Sequence, residues 1–153
     1  MNDSQQINPL YLVRARAMDL LARREHSCLE LRQKLCAKLP EHSDLVEAVI
    51  DGLQQDQLQS DDRFAEAFLS SRVRKGQGPH RISMELQQRG VSSSTISVVI
   101  DGCSVDWYQL ANDVLIKKYG NKPCLDFNEQ AKRRKFLHYR GFNSEHISAC
   151  FDQ

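Results

Sequence analysis

Two register shifts constrain this chain more than any single motif does. Displacing the sequence by 51 residues lays Leu86 on Leu137, Arg89 on Arg140, Gly90 on Gly141, Val91 on Phe142, Ile96 on Ile147 and Asp101 on Asp152. Displacing it by 50 lays Val49-Ile50-Asp51-Gly52 on Val99-Ile100-Asp101-Gly102, with a few extra residues in the first copy between its second and third segments. A period of this length, repeated across 153 residues, implies a row of modules that each pack mainly on their neighbour.

Hydrophobic spacing says what each module is made of. Pro9 opens a helical stripe through Leu10, Val13, Ala17, Leu20 and Leu21 to about Arg24. Ser27 and Glu30 form a capping-box pattern before Leu31, Leu35 and Leu39, and Pro40 stops that stripe. Ser43 is placed to cap a third stripe of Val46, Val49, Ile50 and Leu53. The programme restarts at Ser60, at Pro79 and at Ser92 or Ser93, where Ile96, Val99, Ile100 and Cys103 follow. It restarts again with Trp107 to Tyr119, Phe127 to Arg140, and a short last helix capped by Ser144 and bearing Ile147, Cys150 and Phe151. No long alternating run competes as a strand. The expectation is an all-α protein of three tandem three-helix repeats in an elongated, curved array, divided as 9–59, 60–104 and 105–153, with a frayed Asn2 to Gln6.

The stretch from Asp61 to Val91 is the most informative part of the central copy. Phe64, Ala67, Phe68 and Ser71 share one helical face, while Arg63, Ser70 and Arg74 lie on another. Gly76 and Gly78 end this helix and allow a sharp turn, and Pro79 suits the first position of the next, whose apolar positions are Ile82 and Leu86. Gly90 and Gly141 end the corresponding helices of the second and third copies. His80 and Arg81 fall in the first turn after Pro79, where positive charge opposes the helix dipole. An anionic partner accounts for them.

Composition and targeting signals narrow the class. Hydrophobic residues make up 41% and charged residues 27%, so the chain is an ordinary globular one and not a disordered one. The net charge of +1 argues against a histone-like binder of bulk nucleic acid. The first 59 residues carry 7 Lys/Arg against 9 Asp/Glu, and residues 106–153 carry 8 against 6, so positive charge gathers toward the C-terminus. Neither a leader-like pattern nor an apolar run of membrane length is present, and a cytoplasmic protein with no membrane partner is expected.

Catalytic signals are weak. Five cysteines without a Cys-x-x-Cys pair make a poor disulfide or zinc framework and read as reduced thiols. His26-x-Cys28 and His146-x3-Cys150 each supply two ligands at most, half of a zinc site. Asp61-Asp62 fits a helix start better than a catalytic dyad, and Gly76-x-Gly78 lacks the third glycine and the Lys-Ser/Thr of nucleotide loops. No catalytic residue, metal site or cofactor is expected.

What remains is positive charge on helices. Arg63, Arg72, Arg74, Lys75, Arg81 and Arg89 line the central module, and Lys132-Arg133-Arg134-Lys135 with Arg140 the last. Solvated surface is the plain reading of such residues. Against it stand the place of Arg81 and a four-residue cationic run with no acid inside it. Phe136, Tyr139 and Trp107 read as core or partly buried residues and not as platforms for bases.

Three segments carry a resemblance: RREHSCLELRQKL in the first module, DDRFAEAFLSSRVRKGQGPHRISMELQQRGV in the second and RRKFLHYRGFNSEHI in the third resemble the RecX family of bacterial recombination regulators. The likeness covers about residues 11 to 152. The first module departs from it at Pro40 and in its extra residues, where the family often continues with Gly. The resemblance implies a monomer that binds the RecA recombinase filament along its helical groove, reaches the bound DNA, single- or double-stranded, and suppresses ATP hydrolysis, strand exchange and coprotease stimulation. It places the family motif on Arg63, Phe64, Arg72, Lys75, Gly76, Gly78, Pro79, Arg81, Leu86 and Gly90, with Phe64 and Leu86 as core, the glycines and proline as geometry, and the cations as contacts. A DNA-binding helical protein working through a basic stripe is the alternative.

Overall fold

The computed structural model describes residues 7–152, so Asn2 to Gln6 and Gln153 lie outside it. Among the described residues there are nine α-helices and no strand: α1 (Pro9–Arg23), α2 (Cys28–Lys38), α3 (Val46–Gln55), α4 (Asp61–Arg74), α5 (Pro79–Gln88), α6 (Ser93–Gly102), α7 (Trp107–Tyr119), α8 (Phe127–Tyr139) and α9 (Ser144–Ala149). The helix pairs that pack extensively all fall within a module, α1 to α3, α4 to α6 or α7 to α9. The chain exposes 9993 Å², against roughly 7,900 Å² for a compact monomer of its mass. The fold is therefore an elongated tandem of three three-helix repeats.

Most helix starts follow from the polar residue placed before them. Ser27 Oγ accepts from Glu30 N–H while a Glu30 carboxylate oxygen accepts from Ser27 N–H, closing the capping box at 3.1 Å each way. Ser60 and Ser92 cap α4 and α6 by accepting from Arg63 and Thr95 N–H. Two expected caps are corrected. Ser43 does not cap α3: Pro40 to Leu45 wind as a 3-10 turn that runs into α3 through Leu45. Asn143, and not Ser144, is the N-cap of α9, where Asn143 N–H donates to His146 Nδ1.

Each module has its own core. Val13, Ala17, Leu31, Leu35, Val49, Ile50 and Leu53 fill the first, Phe64, Ala65, Leu69, Ile82, Leu86 and Val99 the second, and Ala111, Leu115, Leu137, Phe142 and Ile147 the third. Leu35, Leu86 and Leu137 stand 51 residues apart, one in each second helix, and none exposes any surface. The packed face of α4 differs from the expected one: Phe64, Ala65 and Leu69 are buried, Phe68 is half-buried, and Ala67 is exposed. Trp107 is half-buried and packs against both the second and the third core.

The modules join head to tail through their second helices. At the first joint the Ser27 hydroxyl, at the start of α2, donates to the Arg89 carbonyl at the end of α5 at 2.8 Å. At the second joint Gly78 N–H donates to the Arg140 carbonyl at 2.7 Å and His80 N–H to the Gly141 carbonyl at 2.9 Å. Ser27 and Gly78, like Arg89 and Arg140, are 51 residues apart, so one device is used twice. The carbonyl end of one helix thus meets the free N–H end of the next, satisfying groups that each helix leaves open. That contact also supplies negative potential beside Arg81, so an outside anion is not needed to explain its place in the first turn.

Glycine is required where the second joint closes. A Cβ on Gly78 would lie 2.5 Å from the Gly141 carbonyl carbon, and Gly141 has φ +96° with the Arg81 backbone directly over its missing side chain. Polar contacts complete the first joint: Asp61 Oδ1 accepts from Cys28 N–H at 2.8 Å and from Gln59 Nε2 at 3.0 Å, and Gln59 Nε2 also reaches the His26 carbonyl. His26 itself is buried, its Nδ1 against the Arg24 carbonyl and its Nε2 3.0 Å from Lys34 Nζ, which makes the neutral ring the fitting one. Burial lowers its pKa below the usual histidine value, with help from the Arg24 and Lys34 charges.

Leu86→Ala empties a fully enclosed site, and urea unfolding is expected to show a loss of about 2–5 kcal/mol. Gly141→Ala is expected to destabilise the third module in hydrogen exchange, whereas Gly102→Ala, at a helical position with nothing within 4 Å of its would-be Cβ, is expected to leave protection equal or slightly raised. The depressed pKa of His26 means that the unfolded chain takes up a proton first as pH falls through the ordinary histidine range near 6.5. Stability is therefore expected to begin dropping as pH falls through about 6.5 and to go on dropping until the folded ring also takes up a proton, with a shallower drop in His26→Gln, read as melting temperature against pH.

Candidate functional site

The cations expected to meet a partner divide into those held inside the structure and those directed outward. Arg63 Nε lies 3.2 Å from Glu25 across the first joint. Arg72 and Arg89 both rest on the ring of Phe68, with guanidinium carbons 4.5 and 4.7 Å from its centroid. Arg72 Nε faces Glu85 Oε2 at 3.3 Å, and both atoms are buried without a hydrogen-bond partner, so their attraction is Coulombic and not a bonded fork. Arg89 approaches Glu30 at 3.7 Å and donates to the Glu85 carbonyl. Glu30 also receives two bonds from Arg24, and although burial opposes its charge, the Arg24 and Ser27 donors outweigh burial and hold its pKa below the usual carboxylate value.

The third module uses its arginines in the same way. Arg133 stacks on Tyr119 at 4.8 Å and pairs with Glu129 at 3.4 Å, one turn earlier on α8. Arg134, on another side of the helix, stacks on Phe151 at 4.6 Å. Arg140 lies over Phe136 at 5.4 Å and donates from Nη1 to the Lys75 carbonyl at 3.0 Å, crossing the second joint. Lys132-Arg133-Arg134-Lys135 is therefore no uniform charged run, since its two arginines brace the module and its two lysines stand exposed.

Arg74, Lys75, Lys132 and Lys135 have no carboxylate partner among the described residues, and Arg81 is exposed with only a 3.7 Å approach to Glu85. Lys132, Lys135 and Tyr139 follow one face of α8 at spacings of three and four. Arg81, Met84, His138 and Tyr139 surround a depression of about 630 Å³ over the second joint. Arg74 and Lys75 belong to a different cleft, of about 400 Å³, beside Lys117 and Lys118 of α7. The outward cations thus lie on two surfaces flanking the joint where Gly76, Gly78, Pro79 and Gly141 make the turns, and Gly90 does the same at the first joint.

Sequence reading passed over Lys117 and Lys118 because two lysines in the last turn of a helix are what its carbonyl end favours. It also missed Phe68 as a platform for arginines, although Phe68 and Arg72 are four residues apart on one helix. The two His/Cys pairs do not converge on a common point. His26 is occupied as described, while Cys28 Sγ accepts from Arg32, which also pairs with Glu47. His146 accepts from Asn143 and meets the Tyr108 ring, and Cys150 Sγ donates to the His146 carbonyl. Burial lowers the pKa of His146 and raises those of Cys28 and Cys150, so these thiols lack thiolate character. Among the described residues no helix is long and apolar enough to cross a membrane and no group of three potential ligands could hold a metal ion.

Known proteins share both the sequence and this arrangement. Models of the second and third three-helix domains of RecX match residues 60–100 and 104–151. A regulatory protein RecX of Pseudomonas fluorescens is 41% identical over 142 residues, covering 93% of this chain and 91% of its own. The regulatory protein RecX of Cronobacter sakazakii is 41% identical over 145 residues, covering 89% and 88%. The crystal structure of RecX from Lactobacillus salivarius shares the fold at a TM-score of 0.75 and 19% identity, over 93% of this chain and 94% of that one. A crystal structure of regulatory protein RecX does so at 0.77 and 22%, over 95% and 74%. With two-fifths of its residues identical to curated relatives along nearly their whole length, and with the same tandem of helical modules, the chain belongs to the RecX family of regulatory proteins.

Proposed function

We propose that this protein is a negative regulator of the RecA recombinase that lies in the groove of the nucleoprotein filament and suppresses ATP hydrolysis, strand exchange and coprotease stimulation. It works by occupation and without chemistry of its own, as a cytoplasmic monomer whose units are 9–59, 60–104 and 105–153. The observation that carries this reading is the repeated head-to-tail joint of the second helices, in a chain of the RecX family. A row whose joints repeat one hydrogen-bonded contact between helix ends keeps its pitch, which suits a partner that is itself a periodic helix. The outward cations Arg74, Lys75, Arg81, Lys132 and Lys135 suit acidic protein surfaces or phosphates along such a groove.

A second reading, direct binding of DNA through a basic stripe, is favoured by one observation: Lys132, Lys135 and Tyr139 share an exposed face of α8. It requires strong binding to DNA alone with a steep loss on adding salt, whereas a protein-directed binder shows weak and shallow salt dependence.

Added below stoichiometry to RecA on single-stranded DNA, the protein is expected to slow ATP hydrolysis, and unchanged hydrolysis overturns the proposal. The combined reversal Arg81→Glu, Lys132→Glu and Lys135→Glu is expected to weaken that inhibition at least about tenfold while the melting temperature stays within a few degrees. Full inhibition by this variant removes the α5 and α8 face from the contact.

A further inference from the structure

A basic cleft lies between the end of α4 and the helices α7 and α8. Arg74 and Lys75 enter it from the second module, and Lys117, Lys118 and Arg140 from the third. Asp113 is the one carboxylate among the lining residues, and its Oδ1 already accepts from Gln109 Nε2 at 2.8 Å. Five like charges around one concavity repel each other and focus a positive potential into it. The carbonyl ends of α4 and α7 favour cations of their own, and Lys118 and Arg140 lie over Phe136, while Arg74, Lys75 and Lys117 are exposed and without a carboxylate partner among the described residues.

The floor is apolar and has a definite shape. Val73, Leu110 and Val114 supply aliphatic surface, while Phe136 is flanked by the Tyr119 ring at 5.6 Å and by Lys118 and Arg140. A single strand of nucleic acid gains part of its hold from bases stacked on open aromatic faces, and here the Phe136 ring is already flanked by Tyr119, Lys118 and Arg140. At about 400 Å³ the cleft holds one or two large side chains. We infer that this cleft docks an acidic segment of a protein partner, with an aliphatic or aromatic anchor seated on Val73, Leu110 and Val114 and flanking carboxylates meeting Arg74, Lys75, Lys117 and Lys118. The inference rests on the cleft and not on the recombinase reading. Its walls come from two modules, so the site exists only while the second joint is closed by Gly78 and Gly141.

The test titrates the nitrogen-15-labelled full chain, without recombinase, to about millimolar concentration of each of three probes. The first is a synthetic peptide of glutamates and aspartates around a leucine and a phenylalanine, the second the same peptide with both apolar residues replaced by serine, the third an oligothymidylate of equal charge. The first peptide is expected to shift the amides of Leu110, Val114 and Lys118, the serine peptide to bind at least about tenfold more weakly, and the Lys117→Glu, Lys118→Glu double variant to lose the shifts while keeping its melting temperature. Absence of these shifts, equal binding of the serine peptide, persistence in the double variant or stronger shifts with oligothymidylate each overturns the inference. Because no recombinase is present, the result is independent of the ATPase assay.

Discussion

The contact on which this molecule depends is a meeting of main chains. At the second joint the last carbonyls of α8 cap the first N–H groups of α5, close enough that neither Gly78 nor Gly141 has room for a side chain. The first joint has the same plan, with the Ser27 hydroxyl in place of an N–H donor. Burial within each module holds that module together, but apolar contact is tolerant of small rotations. Hydrogen bonds between helix ends are not, since they weaken steeply with angle. The relative placement of the modules, and with it both outward basic surfaces, follows from these bonds together with the polar contacts and the Trp107 packing that surround them.

The arginines make sense in that setting. Chains that join modules end to end have little core at the seams, and planar guanidinium groups laid on aromatic rings fill the gap while keeping their charge beside a carboxylate. Arg89, on Phe68 and near Glu30, does this across the first joint, while Arg72 on Phe68, Arg133 on Tyr119 and Arg134 on Phe151 brace the inside of their own modules. Lys132 and Lys135, with compact and strongly hydrated heads, are left for the outside. Within the Lys132 to Lys135 run the arginines are braces and the lysines face outward, a division that net charge or a count of basic residues does not reveal.

Much of the architecture was legible because it rests on local signals. Ser27 with Glu30, Ser60, Ser92 and Pro79 name their helix starts directly, and the leucines at 35, 86 and 137 follow the period. Ser43 misled because Pro40 starts a tighter 3-10 winding that needs no side-chain cap at its junction with α3. On α4 the aromatic spacing of Phe64 and Phe68 suggested a face through Ala67, but α6 packs on a face that includes Ala65 and Leu69. The candidate site was legible only as a list of cations. Whether Arg72 or Arg89 is available depends on where Glu85 and Glu30 arrive across loops and joints, and local patterning carries no record of that.

Trp107 bears on all of this from an unexpected side. It is the only tryptophan of the chain, it is half-buried, and it touches the second and third cores at once. Its indole therefore sits at the seam between two bodies whose mutual placement defines the binding surfaces. Any opening of that seam admits water to the ring and reddens its emission. The molecule carries an intrinsic optical gauge of its own bending, readable on the unlabelled chain while a partner is bound.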